Sequence, residues 1–176
     1  MKFSEAIQKL DRRHIYIIVA LAVILPLAFP LGFQTYMTTP VENLYVHIDE
    51  AARKDNKVIL LDFAQSPSTL PELYPMDIAI LRHCFLRDIK VFTISYFPQG
   101  AAIMEMALAE VKEDFPEIKP NVDYCNFGYR TWGMRLPIIL GMGDDIAKAV
   151  ETNSEGAMLE NLPIMKDIKN YDNIQV

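Results

Sequence analysis

Lys57-Val58-Ile59-Leu60-Leu61-Asp62-Phe63 (KVILLDF, residues 57–63) decides the fold. It is a continuous apolar run of strand length, the pattern of a strand buried on both faces of a parallel sheet. Residues 89–97 (IKVFTISYF) are rich in β-branched and aromatic side chains and predict a second strand. Residues 122–127 read as a third. Residues 136–140 form a short apolar run that reads as a fourth strand, and residues 173–176 read as the opening of one more.

Helical patterns lie between these runs. Thr39-Pro40-Val41-Glu42 joins an N-cap hydroxyl, a proline at the first helical position and a capping-box glutamate, so a helix is predicted to start there. Its inward stripe would be Val41, Leu44, Tyr45, Ile48 and Ala52. Thr69 and Glu72 repeat the capping-box spacing ahead of a helix that runs to about Arg87, with Pro71 and Pro75 confining its regular part to the residues after them. The inward face there uses Met76, Ile80, Leu81, Cys84 and Phe85. Pro98-Gln99-Gly100 marks a turn, and residues 101–115 have strong helix propensity. Shorter helices are predicted over 145–150 and 159–168. Alternation of this kind predicts an α/β fold: a three-layer, Rossmann-like domain with a mostly parallel sheet and right-handed crossovers.

Upstream the chain changes character. Residues 15–33 (IYIIVALAVILPLAFPLGF) are uncharged, and about 19 helical residues at ~1.5 Å each nearly match the hydrocarbon thickness of a bilayer. Lys2, Lys9, Arg12 and Arg13 all precede this run, and the first basic residue after it is Arg53. The positive-inside rule therefore puts the N-terminus in the cytoplasm and the α/β domain outside. The organisation expected is a cytoplasmic leader (1–14), a single transmembrane helix (15–33), a linker (34–40) and an α/β domain (41–176), whose abrupt finish suggests a fragment of a longer protein or a short edge strand. A cleaved signal peptide shares the basic leader and apolar run, but Phe29-Pro30-Leu31-Gly32 offers no small-x-small cleavage site.

Composition narrows the partners. A net charge of −6 with no basic cluster beyond the leader argues against nucleic acid. The mean hydropathy of +0.11 reflects the apolar block and points to the lipid bilayer, through residues 15–33, as a partner. Cys84 and Cys125 lie far apart in sequence and outside any C-x-x-C spacing, so neither a zinc site nor a redox dithiol is expected, and no cofactor is implied. Gly141-x-Gly143 lacks the rest of a dinucleotide fingerprint and reads as a tight turn. Asp144 and Asp145 read as helix-start carboxylates.

In parallel sheets ligands bind beyond the carboxyl ends of the strands. That rule selects Asp62, Ser66, Ser68 and Thr69 after the first strand, Gln99 and Gly100 after the second, and Gly128, Tyr129 and Arg130 after the third. Against a ligand role, Ser66 to Thr69 are residue types that turn the chain and cap helices. Arg130 and Arg135 flank Trp132, which suits an anion or an aromatic ligand as well as it suits solvated loop charges.

The segments Pro71-Glu72-Leu73-Tyr74-Pro75-Met76, Leu81-Arg82-His83-Cys84-Phe85, Gly141-Met142-Gly143-Asp144-Asp145-Ile146 and Leu162-Pro163-Ile164-Met165 resemble a family of uncharacterised prokaryotic membrane proteins. The resemblance implies an N-terminal membrane helix and an α/β domain, and carries no activity. Two functions compete at this level. One is a membrane-tethered, extracytoplasmic binding or scaffold module that meets a protein partner in the membrane. The other is a membrane-anchored hydrolase using Asp62 with Ser66 or Thr69 and Arg130.

Overall fold

A computed structural model describes residues 11–29, 36–54 and 57–174. The chain forms two compact units, residues 1–38 and 39–176. In the first, helix α1 (Arg12–Ala28) starts three residues before the expected membrane segment, because the Asp11 side chain accepts from Arg13 N at 3.2 Å and caps it. All its side chains are exposed. Among the described residues no helix is long and apolar enough to cross a membrane. Residues 30–33, the last of the expected span, lie outside the described residues.

The second unit is α/β. Its elements are α2 (Thr39–Ala51), β1 (Val58–Asp62), α3 (Leu70–Leu86), β2 (Lys90–Ser95), α4 (Pro98–Asp114), β3 (Tyr124–Tyr129), a 3-10 turn (Trp132–Met134), α5 (Arg135–Gly141) and α6 (Ile146–Val150). Further 3-10 turns cover Leu159–Asn161, Pro163–Met165 and Tyr171–Asn173. The three strands form a parallel sheet in the order β1-β2-β3. Strand order and sequence order coincide, so these strands contain no point at which the order reverses to open a crevice.

Each face of the sheet carries a core. Ile59, Leu61 and Phe63 of the first strand and its exit, with Val91 of β2, meet α2, α3 and α4 through Ile48, Leu81, Cys84, Met104 and Val111. Val58 and Leu60, with Phe92, Ile94, Cys125 and Phe127, face the other way onto Ile138 of α5, Ile146 of α6, Leu159 and Ile164. The strands are thus apolar on both sides, as their continuous runs require.

Prolines explain most departures from expectation. Residues 136–140 are not a strand. They lie in α5, where Pro137 occupies the first turn and needs no intrahelical N–H partner. Residues 159–168 do not make one helix, because Leu162, preceding Pro163, is held extended (φ −82°, ψ 137°) and separates two 3-10 turns. Pro98 opens α4 at its first turn, three residues earlier than propensity suggested. Pro75 lies inside α3, where burial of Ile78, Leu81, Cys84 and Phe85 outweighs the one hydrogen bond it forfeits.

At the chain's end, Asn173 closes a 3-10 turn instead of opening a strand. Its side chain accepts from Lys169 N and Asn170 N. Residues 175 and 176 lie outside the described residues. The stripe expected on α2 is also only partly used: Ile48 is buried and Ala52 half-buried just past the helix, with Ala51 buried in its place, while Val41, Leu44 and Tyr45 stay 48%, 42% and 49% exposed.

Candidate functional site

At the carboxyl ends of the strands four side chains converge on the α5 face of the sheet. Asp62 closes β1, Tyr96 follows β2, and the 3-10 turn after β3 delivers Trp132 and then Arg135 at the start of α5. The Arg135 guanidinium lies 4.9 Å from the Trp132 ring centroid and 5.6 Å from that of Tyr96. Both distances suit cation–π contact. Trp132 in turn leans on Phe97 at 5.4 Å and remains 57% exposed, so it forms an open aromatic shelf.

Asp62 Oδ2 stands 3.8 Å from Arg135 Nη2, a loose pair beyond hydrogen-bond range. Arg135 Nε is buried and makes no hydrogen bond, while the side chain as a whole is 41% exposed. Burial raises the Asp62 carboxyl above its ordinary 3.8, with Arg135 partly offsetting the rise. Burial first, then the negative charges of Asp62 and Tyr171, push the Tyr96 phenol up to about 12. Tyr96 is therefore a neutral hydroxyl wall at physiological pH.

The other residues selected from the sequence do not join this cluster. Ser66 and Thr69 bind each other: Ser66 N donates to Thr69 Oγ1 at 3.2 Å and Thr69 Oγ1 donates to Ser66 O at 2.9 Å. Thr69 therefore turns the loop and makes no side-chain cap for α3, contrary to the capping-box expectation. Ser66 Oγ and Ser68 Oγ pair at 2.8 Å, and Gln99 is exposed on the first turn of α4. Gly100 has a packing role. A Cβ there would stand 2.1 Å from Phe63 O and 2.5 Å from Ser95 Oγ, so only glycine lets α4 begin against the exit of β1.

Gly128 and Tyr129 belong to β3, and the Arg130 guanidinium turns aside to donate to Thr152 O. Asp62, Ser66, Thr69 and Arg130 thus share no hydrogen-bonded catalytic arrangement. Nor are the thiols nucleophiles: Cys84 and Cys125 are free and buried, and burial pushes both up to about 12. Among the described residues no three His, Cys, Asp or Glu come together to hold a metal ion. Asp145 caps α6, accepting from Lys148 N at 3.1 Å.

Sequence reasoning selected Asp62 by position and noticed Arg135 beside Trp132, but it missed Tyr96, which read only as part of a strand. The signal was its place one residue past the buried end of β2. A second polar feature was also missed. His83 Nε2 lies 2.9 Å from Asp49 Oδ1, Tyr45 stacks on the His83 ring at 4.3 Å, and Arg87 donates to the same carboxylate. These four side chains clamp α2 onto α3.

Comparison with protein-family models, with curated proteins and with solved structures finds no match to this chain.

Proposed function

We propose that the chain is a membrane-tethered binding module, anchored through residues 15–33 with its N-terminus cytoplasmic and residues 41–176 outside, whose recognition face is the Arg135–Trp132–Asp62 cluster. The tether is supported by α1, which carries apolar side chains on every face, all exposed, behind Arg12 and Arg13. Its 17 residues measure about 25 Å, so a complete crossing of about 30 Å draws on the residues after it. Exposure of recombinant right-side-out vesicles to protease is expected to digest the domain. Digestion only from the cytoplasmic side, or recovery of the intact chain in buffer without detergent, overturns the tether.

Arg135 carries the recognition reading, because a guanidinium 41% exposed, lying against two rings and only loosely paired with Asp62, can receive an acceptor oxygen at its outer N–H groups. The fitting ligand offers a carboxylate or carbonyl to Arg135 and planar surface to Trp132. The chain's single tryptophan reports on this directly. Benzoate, which has both features, is expected to quench Trp132 fluorescence saturably in the native protein and not in Arg135→Ala. Asp62 competes for the same guanidinium, so Asp62→Asn is expected to tighten benzoate binding several-fold. Equal titration curves for native protein and Arg135→Ala would remove the site.

A further inference from the structure

The outer face of α5 is apolar where a surface helix is ordinarily polar. The 3-10 turn Trp132–Met134 runs directly into α5, with Arg135 N donating to Trp132 O, so residues 132–141 form one short helical rod. Ile138 and Met142 hold its inner side in the core. On the opposite side Trp132, Leu136, Ile139 and Leu140, spaced i, i+4, i+7 and i+8, are 57%, 65%, 37% and 68% exposed. A helix that is apolar all round belongs in a protein core or in lipid. Single exposed leucines are ordinary, but a contiguous stripe headed by a tryptophan marks a surface that meets something.

Three observations say what it meets. Residues 129–143 carry Arg130 and Arg135 and no acidic side chain, in a chain whose net charge is −6, so this stretch has the sign that suits an anionic surface. Asp62 offsets Arg135 only loosely, at 3.8 Å. Next, Trp132 and Arg135 pack together at the head of the stripe, 4.9 Å from ring centroid to guanidinium. An indole and a long cationic side chain bordering an apolar patch favour the headgroup level of a bilayer. Finally, Tyr171 ties this face to the start of α2, since its hydroxyl donates to Ile139 O while its side chain lines the same groove as Leu44. Leu44 lies in the second turn of α2, which begins at Thr39, where the proposed tether enters the domain. Residues 29–38 reach at most about 35 Å when extended, so a bilayer holding residues 15–33 is always near this side.

We infer that the outer face of α5 lies in the lipid–water interface of an anionic membrane, with Leu136, Ile139 and Leu140 among the acyl chains and Trp132 and Arg135 at the level of the headgroup oxygens. The inference draws on the proposed tether for the nearness of the bilayer, and its test scores the two separately. Trp132 is the chain's only tryptophan, so its emission reports on this face and not on α1.

The full chain is reconstituted with vesicles of phosphatidylcholine and phosphatidylglycerol in equal parts, with and without bromine on the acyl chains, and recovered by flotation. Brominated lipid is expected to remove about half of the Trp132 emission or more. Leu136→Glu combined with Leu140→Glu, both at exposed positions, is expected to restore it, with the far-ultraviolet dichroism unchanged and the chain still floating. A native chain that floats with equal emission in both kinds of vesicle overturns the inference and leaves the tether standing, and this arm needs no variant. Exclusion of iodide from Trp132 without quenching by brominated lipid overturns it as well, because a protein partner or a second copy then covers the face. So does quenching that the double substitution leaves at native strength. A native chain that does not float overturns both readings, whereas one that floats only until Leu136 and Leu140 are replaced supports this face and removes the tether.

Discussion

The two edges of the sheet solve the same problem in different ways. Along β3 the chain returns upon itself: Asn126 O accepts from Ser154 N at 2.8 Å, and Tyr124 O from Asn121 N at 2.7 Å. Asn153, 5% exposed, ties these returns together, donating to Asn121 Oδ1 and accepting from Glu155 N and Ala157 N. The groove alongside, about 420 Å³, is lined by polar groups including Asn121, Asn126 and Glu155. Along β1 no such return occurs among the described residues, and the groove there is apolar. An edge closed by its own loops can stand alone in water. An edge made of leucine and isoleucine with outward amides has no such closure of its own among the described residues.

The largest expected effect comes from opening the closed edge. Asn153→Ala removes three hydrogen bonds at once, taking the acceptor from the N–H groups of Glu155 and Ala157 and leaving Asn121 Oδ1 only the Cys125 thiol as a side-chain donor. A loss of about 3 kcal/mol is expected in urea unfolding. A loss within about 0.5 kcal/mol, the range of neutral surface changes, would mean that the loop does not hold the β3 edge and that the contrast between the edges is false.

The strand between the edges offers an effect of opposite sign. Thr93 in β2 is fully buried, and its hydroxyl has no hydrogen-bond partner. Such a group carries the cost of desolvation with no return, and valine has nearly the same shape. Thr93→Val is therefore expected to stabilise the domain by about 1 kcal/mol, read as a raised thermal midpoint. Destabilisation would indicate that a bound water serves the hydroxyl.

These differences in environment also govern how much the sequence could reveal. β1 and β2 were legible because burial on both faces demands uninterrupted apolar residues, which short-range pattern records. Asp62 was legible as a site residue because the end of a parallel strand is a place as well as a residue. The partnership of Asp62 with Arg135 was not, since nothing local encodes a contact between residues so far apart in the chain. Residues 136–140 misled because a five-residue apolar run has no distinguishable period, yet Pro137 held the answer. Val41 and Leu44 misled differently: periodicity says that a face is apolar, and not that the rest of the fold reaches it.

Acid separates the edges most finely. The amides that close β3 do not titrate, whereas two aspartates of opposite behaviour serve the β1 side. Asp49, held by His83 first and then Arg87, has its carboxyl below the ordinary 3.8, and it fastens α2 beside β1. Because its folded pKa is depressed, its contribution is complete above about pH 4 and is lost as pH falls through that lowered value. Asp62 is raised by burial, with Arg135 opposing, and Asp77 is raised by burial, with Gln65 opposing. For these two the folded state favours the protonated form, so stability is gained as pH falls from neutral through their raised values and lost again on the return. The thermal midpoint is therefore expected to rise gently on acidification and then to turn down below about pH 4. Asp62→Asn should flatten the rise without moving the downturn, and Asp49→Asn should flatten the downturn without removing the rise. If one substitution alters both limbs, the clamp on α2 and the end of β1 form a single titrating unit, and the β1 side cannot be treated as a surface separable from the recognition cluster.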